Sequence, residues 1–396
     1  MILHFTTALF LGSTALALPF ADIYERQNTT DCAVEDSYPT VDYDPLPDPF
    51  TFSDGRKVTS KEEWTCRQAE ISKLLQQFEL GDYPPPPDSV QASLSGSTMS
   101  VKVTVGSKSV TINTSIRKPS TSPGPAIITI GGSSLPIPGT VGTIGFGNDQ
   151  FASQASGSSR GQGAFYTLFG NTHSAGALTA WAWGVDRVID GLEQLGAEQT
   201  GIDPTKLGTT GCSRNGKGAF IVGALVNRIA LTLPQESGSG GAACWRISDA
   251  QHDAGANIQT AGEIVGENVW FSTNLNKYTS ATTTMPEDHH FLAALIAPRG
   301  LFVMENDIDW LGPVSTTGCM KAGRLIYKAV GAPTNMGFSL VGGHSHCMFP
   351  SSQQADLTSY MNYFLLGGTT APGEVEKSSS NVNVADWAPW EVPTLS

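Results

Sequence analysis

Residues 208–219 read Gly-Thr-Thr-Gly-Cys-Ser-Arg-Asn-Gly-Lys-Gly-Ala. A β-rich lead, Lys206 to Thr210, runs into a glycine-flanked serine, and a helix-like run, Lys217 to Arg228, follows at once. A strand, a sharp turn and a helix in direct succession make a nucleophile elbow, which lifts a serine hydroxyl clear of both elements. Small residues are needed beside Ser213 because the backbone crowds there. Against the pattern Gly-x-Ser-x-Gly, Gly211 holds the first position, Asn215 holds the last, and the glycine comes one residue late at Gly216. Taken alone, the motif fits an ordinary Gly/Ser turn as well as a catalytic one.

The rest of the pattern favours the elbow. Ala126–Ile130 is a short, wholly apolar run, as in a strand buried on both faces. It ends in Gly131-Gly132-Ser133-Ser134, a loop able to aim N–H groups into a site. Ala230–Leu233, Leu301–Met304 and Phe338–Val341 read as further buried strands. Val101–Val105 and Val110–Ile116 alternate and are expected to pair. Leu178–Leu195 predicts a helix with Trp181, Val185, Val188, Ile189 and Leu192 on one side. Lys61–Leu80 predicts another, ended by Pro84-Pro85-Pro86-Pro87, and Thr358–Leu366 a last one. Apolar strands alternating with helices imply a mainly parallel sheet covered on both faces, a three-layer αβα sandwich. With no internal repeat, residues 18–396 read as one α/β-hydrolase catalytic domain, with an extended N-terminal arm at about 18–50 wrapping the surface.

Residues 1–17 read as a secretory signal: an apolar run closing on the small-x-small pattern Ala15-Leu16-Ala17, without a basic start. No other run is long enough to span a bilayer. The net charge of −13 and the lack of a basic run argue against nucleic acid as a partner. In an exported chain the 6 cysteines read as disulfides. Asn28 and Asn113 open glycosylation sequons.

A serine nucleophile needs a base, and the base needs an orienting carboxylate. Of the 7 histidines, His344 and His346 stand out, because Gly342-Gly343-His344-Ser345-His346-Cys347 follows the last predicted strand. The hydrolase histidine sits on such a loop. Cys212 precedes Ser213 and Cys347 follows His346. A Ser213–His346 hydrogen bond would bring those cysteines within bridging range, so a Cys212–Cys347 disulfide would lock nucleophile to base. The alternative, His-x-His as a metal ligand pair, lacks a flanking ligand cluster. Glu287-Asp288-His289-His290 reads as a charged surface turn. The acid is open between Glu236 and the group Glu305, Asp307 and Asp309, since both follow a strand and both precede the histidine.

Gly211-Cys212-Ser213-Arg214-Asn215-Gly216-Lys217-Gly218-Ala219 resembles the signature of the fungal glucuronoyl esterases, carbohydrate esterase family 15. The resemblance runs from about Cys32 to the C-terminus. Its other anchors are Trp181-Ala182-Trp183-Gly184, Leu233-Pro234-Gln235-Glu236-Ser237-Gly238 and Gly343-His344-Ser345-His346-Cys347. It implies Ser213 as nucleophile, His346 as base, Glu236 as acid and Arg214 as oxyanion stabiliser. It also implies Lys217, Gln259, Glu267 and Trp310 as the residues that hold a uronic sugar. Disulfides Cys32–Cys66 and Cys244–Cys319 are implied beside Cys212–Cys347. The activity it implies is a secreted, monomeric serine esterase acting on 4-O-methyl-D-glucuronate esters between glucuronoxylan and lignin, with no metal or organic cofactor. The rival readings are another carbohydrate esterase (acetyl xylan or feruloyl) and a non-catalytic carbohydrate-binding homologue.

Overall fold

The computed structural model describes residues 32–395. The expected signal at 1–17 and the sequon at Asn28 lie outside the described residues. Residues from Val34 onward form one compact unit. The preceding unit, Met1–Ala33, falls almost wholly outside the described residues.

In chain order the main elements are α1 (Lys61–Leu75), β1 (Ser89–Ser95), β2 (Thr98–Val105), β3 (Lys108–Arg117), β4 (Gly124–Ile130) and β5 (Gly142–Phe146). Then come α2 (Ala177–Leu195), β6 (Ile202–Cys212), α3 (Arg214–Leu225), β7 (Ile229–Gln235), α4 (Trp245–Asp253), α5 (Ala261–Glu267) and α6 (His290–Ile296). The chain closes with β8 (Gly300–Glu305), α7 (Pro313–Ala329), β9 (Met336–Leu340), α8 (Gln354–Phe364) and β10 (Glu376–Lys377). The strands form one sheet in the order β1-β2-β3-β5-β4-β6-β7-β8-β9-β10. Pairing is antiparallel from β1 to β5 and parallel from β5 through β4 to β10.

Two apolar layers sandwich the sheet. Alternate residues of one strand serve opposite faces. Leu301 and Val303 of β8 join the larger core with α1, α2, α3, α6 and α7, while Phe302 and Met304 join a smaller one under α8. Strand β4 is buried along its whole length, as its unbroken apolar run requires. Helix α2 is buried on nearly every side, Arg187 and Asp190 included. These two pair at 2.9 Å, which makes the burial of charge tolerable.

Several expectations need correcting. The run Lys61–Leu80 is helical throughout, as expected, but it changes from α to a closing π turn, Gln76–Leu80, after Leu75. Helix α3 starts at Arg214, earlier than the apolar run implied, because the elbow itself opens the helix. The described part of the arm has no helix or strand, yet it does more than wrap the surface. Leu46 and Phe50 are buried in the core, and the Phe50 ring packs 5.7 Å from that of Trp64. Glu287-Asp288-His289-His290 is fully buried and is no surface turn. Partners distant in sequence receive it. Asp288 accepts from the Trp245 and Arg246 N–H groups, and His289 Nε2 lies 3.0 Å from Glu79.

The sheet's parallel half sends all its C-terminal strand ends to one edge, where ligands gather in open α/β sheets. Ser213 follows β6, Glu236 follows β7, Glu305 ends β8, and the histidine loop follows β9.

Candidate active site

The elbow forms because two glycines admit close backbone approaches. A Cβ on Gly211 would lie 2.3 Å from the Asn215 carbonyl oxygen, and one on Gly216 2.4 Å from that of Gln235. The late glycine of the motif is therefore the one that β7 demands. Asn215, in its place, becomes a hub whose Oδ1 accepts from Asn148 and Gln154. Ser213 is held at φ 59°, ψ −127°, and the first bond of α3 runs from the Lys217 N–H to its carbonyl at 2.9 Å. Among the described residues, the non-glycine residues at positive φ are Ser213, Glu236 and Cys347. All three belong to this site, and strain of this kind persists where the surroundings over-determine it.

Glu236 joins both histidines. Its Oε2 accepts from His346 Nδ1 at 2.7 Å and from the Cys347 N–H at 2.8 Å, and its Oε1 lies 3.1 Å from His344 Nε2. Asn306 Nδ2 lies 3.4 Å from Glu236 Oε2 and 3.2 Å from the His344 carbonyl oxygen, tying acid to loop. Burial alone would raise the Glu236 carboxyl, but the bonds from His346 and Cys347 outweigh it and hold the group below its usual range. His346 Nε2 is buried and has no hydrogen-bond partner among the described residues.

Cys212 and Cys347 are bridged, with Cα atoms 5.8 Å apart. That bridge brings the residues on either side, Ser213 and His346, into one small volume. Cys244 and Cys319 are bridged as well, joining the start of α4 to α7. Among the described residues no cysteine is free. The Cys32–Cys66 pairing stays a proposal. Cys212, Cys347 and His346 could face one ion, but the joined sulfurs are not thiolates, so the group offers one nitrogen.

Among the described residues, the hydrogen bonds of the Glu305 carboxylate go to the turn after β7 and to neither histidine. It accepts from the Ser237 N–H and Oγ at 2.7 and 2.8 Å and braces the turn that carries Glu236. Burial pushes its carboxyl up to about 7. Lys217 is nearly sealed from solvent and donates to the Ser237 carbonyl at 2.5 Å. Burial pulls its ammonium down to about 8, against the opposing pull of Glu305 and Glu267. Gln259 Nε2 donates to Glu267 at 3.1 Å, and its N–H reaches the Trp310 carbonyl at 3.3 Å. Trp310 meets the His346 ring edge-on at 4.9 Å. Arg214 is exposed at the start of α3, its guanidinium 5.5 Å from the Trp270 ring centre. Asn113 lies apart, exposed on β3.

Two residues in this neighbourhood escape a sequence reading. Trp270 lies under both Arg214 and Lys217, and Asn306 links acid to loop. A tryptophan within Glu267-Asn268-Val269-Trp270 was the one available signal for the first.

The arrangement suits acyl transfer: a strained serine at a helix start, an imidazole oriented by a carboxylate, and first-turn N–H groups that have no intrahelical partner. Comparison with known proteins agrees. The family model "Glucuronyl esterase, fungi" matches residues 101–331. The 4-O-methyl-glucuronoyl methylesterase of Thermothelomyces thermophilus is 65% identical over the full length of both chains. The crystal structure of a glucuronoyl esterase from Sporotrichum thermophile is 67% identical, covers 92% of this chain and 100% of its own, and superposes with a TM-score of 0.91. An S213A mutant from the same source, in complex with methyl 4-O-methyl-beta-D-glucopyranuronate, is equally similar, with a TM-score of 0.91, 67% identity, and coverage of 93% and 100%.

Proposed function

The chain belongs to the fungal glucuronyl esterases, and we propose on that footing that it is a secreted serine esterase hydrolysing esters of 4-O-methyl-D-glucuronic acid. Ser213 attacks the C6 carbonyl of the uronate while His346 takes its proton. Glu236 orients His346 and stabilises the imidazolium. The N–H of Arg214, helped by its guanidinium, receives the negative oxygen of the tetrahedral intermediate. His346 returns the proton to the departing alcohol, and water activated by His346 then releases the acid from Ser213.

The observation that carries this reading is the Glu236–His346 contact at 2.7 Å, on a loop bridged to the residue beside Ser213. The unpartnered His346 Nε2 is left to serve the serine proton; hydrogen bonds of this kind often tighten only with substrate bound. Lys217, Gln259, Glu267 and Trp310 line the β7–β8 side and hold the sugar. In plant walls the substrate is the ester between glucuronoxylan side chains and lignin alcohols. The bridged cysteines support secretion, and among the described residues no helix is long and apolar enough to cross a membrane. We take the working form to be a monomer.

The test compares methyl 4-O-methyl-glucuronate, its galacturonate epimer and an acetylated xylo-oligosaccharide. Strong preference for the first supports the reading. Preference for the acetyl ester would place the sugar on the alcohol side and make the chain an acetyl esterase.

A further inference from the structure

The histidine loop carries two imidazoles, and acyl transfer at Ser213 uses one, that of His346. His344 is not left over in solvent. Its side chain is 12% exposed, and its Nε2 lies 3.1 Å from Oε1 of Glu236. The two oxygens of one carboxylate are thus divided. Oε2 takes His346 Nδ1 and the Cys347 N–H, and Oε1 faces His344. Among the described residues, Oε1 has no other hydrogen-bond partner.

The neighbours of the His344 ring place its proton. Asn306 Oδ1 accepts the Asp307 N–H at 2.8 Å, which turns Nδ2 towards the loop. The Nδ2 hydrogens have the His344 carbonyl at 3.2 Å and Glu236 Oε2 at 3.4 Å to serve. Asn306 therefore does not need His344 Nε2 as an acceptor, although that atom lies 3.2 Å away. A bare Nε2 would set its lone pair against the carboxylate. His344 Nδ1 is buried with no hydrogen-bond partner among the described residues, so a hydrogen placed there would go unsatisfied. Both observations put the proton on Nε2, which donates it to Oε1.

The last torsion of a glutamate side chain is soft. With Oε1 free, the carboxylate could roll about that torsion and carry Oε2 off the line to His346 Nδ1. A hold on both oxygens fixes the carboxylate plane, and with it the direction of the imidazole. We propose that His344 is a positioning residue: through Nε2 it holds the second oxygen of Glu236, so that the first stays aimed at His346. The inference rests on the reading of Ser213, His346 and Glu236 as the acyl-transfer set.

The experiment measures kcat and KM for methyl 4-O-methyl-glucuronate in wild type, His344→Phe and His344→Gln. Phenylalanine keeps a ring without a donor, and glutamine keeps a donor nitrogen at about the reach of Nε2 without a ring. His344→Phe should lower kcat about ten- to hundredfold with KM nearly unchanged, and His344→Gln should recover most of that loss. Equal losses, or the reverse order with His344→Gln the worse, mean that packing alone matters and overturn the inference. Full kcat in His344→Phe also overturns it, while leaving the esterase reading intact. Nitrogen NMR of histidine-labelled wild type reads the tautomer without relying on any variant to fold. His344 should carry its proton on Nε2, and a neutral ring protonated on Nδ1 overturns the inference. Failure of wild type to hydrolyse the ester overturns both readings.

Discussion

His346 Nδ1 lies 2.7 Å from Glu236 Oε2, across 110 residues of sequence. The same oxygen accepts the Cys347 N–H at 2.8 Å, so the carboxylate grips the imidazole and the backbone beside it together. This fixes both the tautomer and the direction of the ring: Nδ1 carries the proton towards Glu236, and Nε2 is left to receive one.

Glu236 and Glu305 should then behave differently. Glu236→Ala is expected to lower kcat roughly 10³–10⁴-fold, as loss of an orienting acid does elsewhere. Glu305→Gln should keep activity within about tenfold, because its carboxylate bonds to the Ser237 turn and to neither histidine. Steady-state rates decide. The reverse order of effects would assign the acid to the end of β8.

The Cys212–Cys347 bridge closes a loop of 135 residues. Replacing both cysteines with serine should cost about 2–5 kcal/mol in denaturant unfolding. It should also lower kcat more than it raises KM, since elbow and base loop are no longer tied. Full activity at unchanged stability would show that the bridge positions nothing.

Glu305 should leave a signature in pH stability. Its carboxyl is raised from 4.5 to about 7 by burial. Between those values the folded state binds more protons than the unfolded one, so its contribution makes stability fall as pH rises. The full effect is about 3 kcal/mol. Unfolding curves for wild type and Glu305→Gln at about pH 4.5 and about pH 7.5 isolate it. The wild type should lose more stability across this interval than the variant; parallel losses would contradict the assignment.

What the sequence made legible, and what it hid, follows from locality. Strands β4, β7, β8 and β9 announce themselves as short apolar runs and β6 as a β-rich lead into the serine turn, and Ser213 and the histidine loop sit where such strands end. Strand β5 did not, because Gly142-Thr143-Ile144-Gly145-Phe146 carries two glycines in its few residues. Helix α7 was hidden by Ser315, Thr316, Thr317 and Gly318, which are weak helix formers and hold only because they are buried. Glu287 to His290 read as solvated because their partners, Glu79 among them, are far off in sequence. The choice of Glu236 over Glu305 came from family resemblance; nothing in local sequence separates them.

Lys217 and Arg214 should split the kinetic constants. Lys217→Ala removes a buried donor from the sugar side and should raise KM more than it lowers kcat. It should also cost some stability, because the Ser237 carbonyl loses its partner. Arg214→Ala should chiefly lower kcat, since negative charge on the oxyanion develops only towards the transition state. Preference for glucuronate over galacturonate should weaken in Lys217→Ala. A preference untouched by that change would mean the sugar lies elsewhere.

Turnover of methyl 4-O-methyl-glucuronate by purified wild type and Ser213→Ala tests the account most directly. One hydroxyl is lost and the pocket is otherwise intact, so the loss falls on the chemical step. We expect hydrolysis by wild type and a fall of about 10⁴-fold or more in Ser213→Ala, with binding of the ester retained. Near-normal turnover by Ser213→Ala would contradict the serine-esterase mechanism.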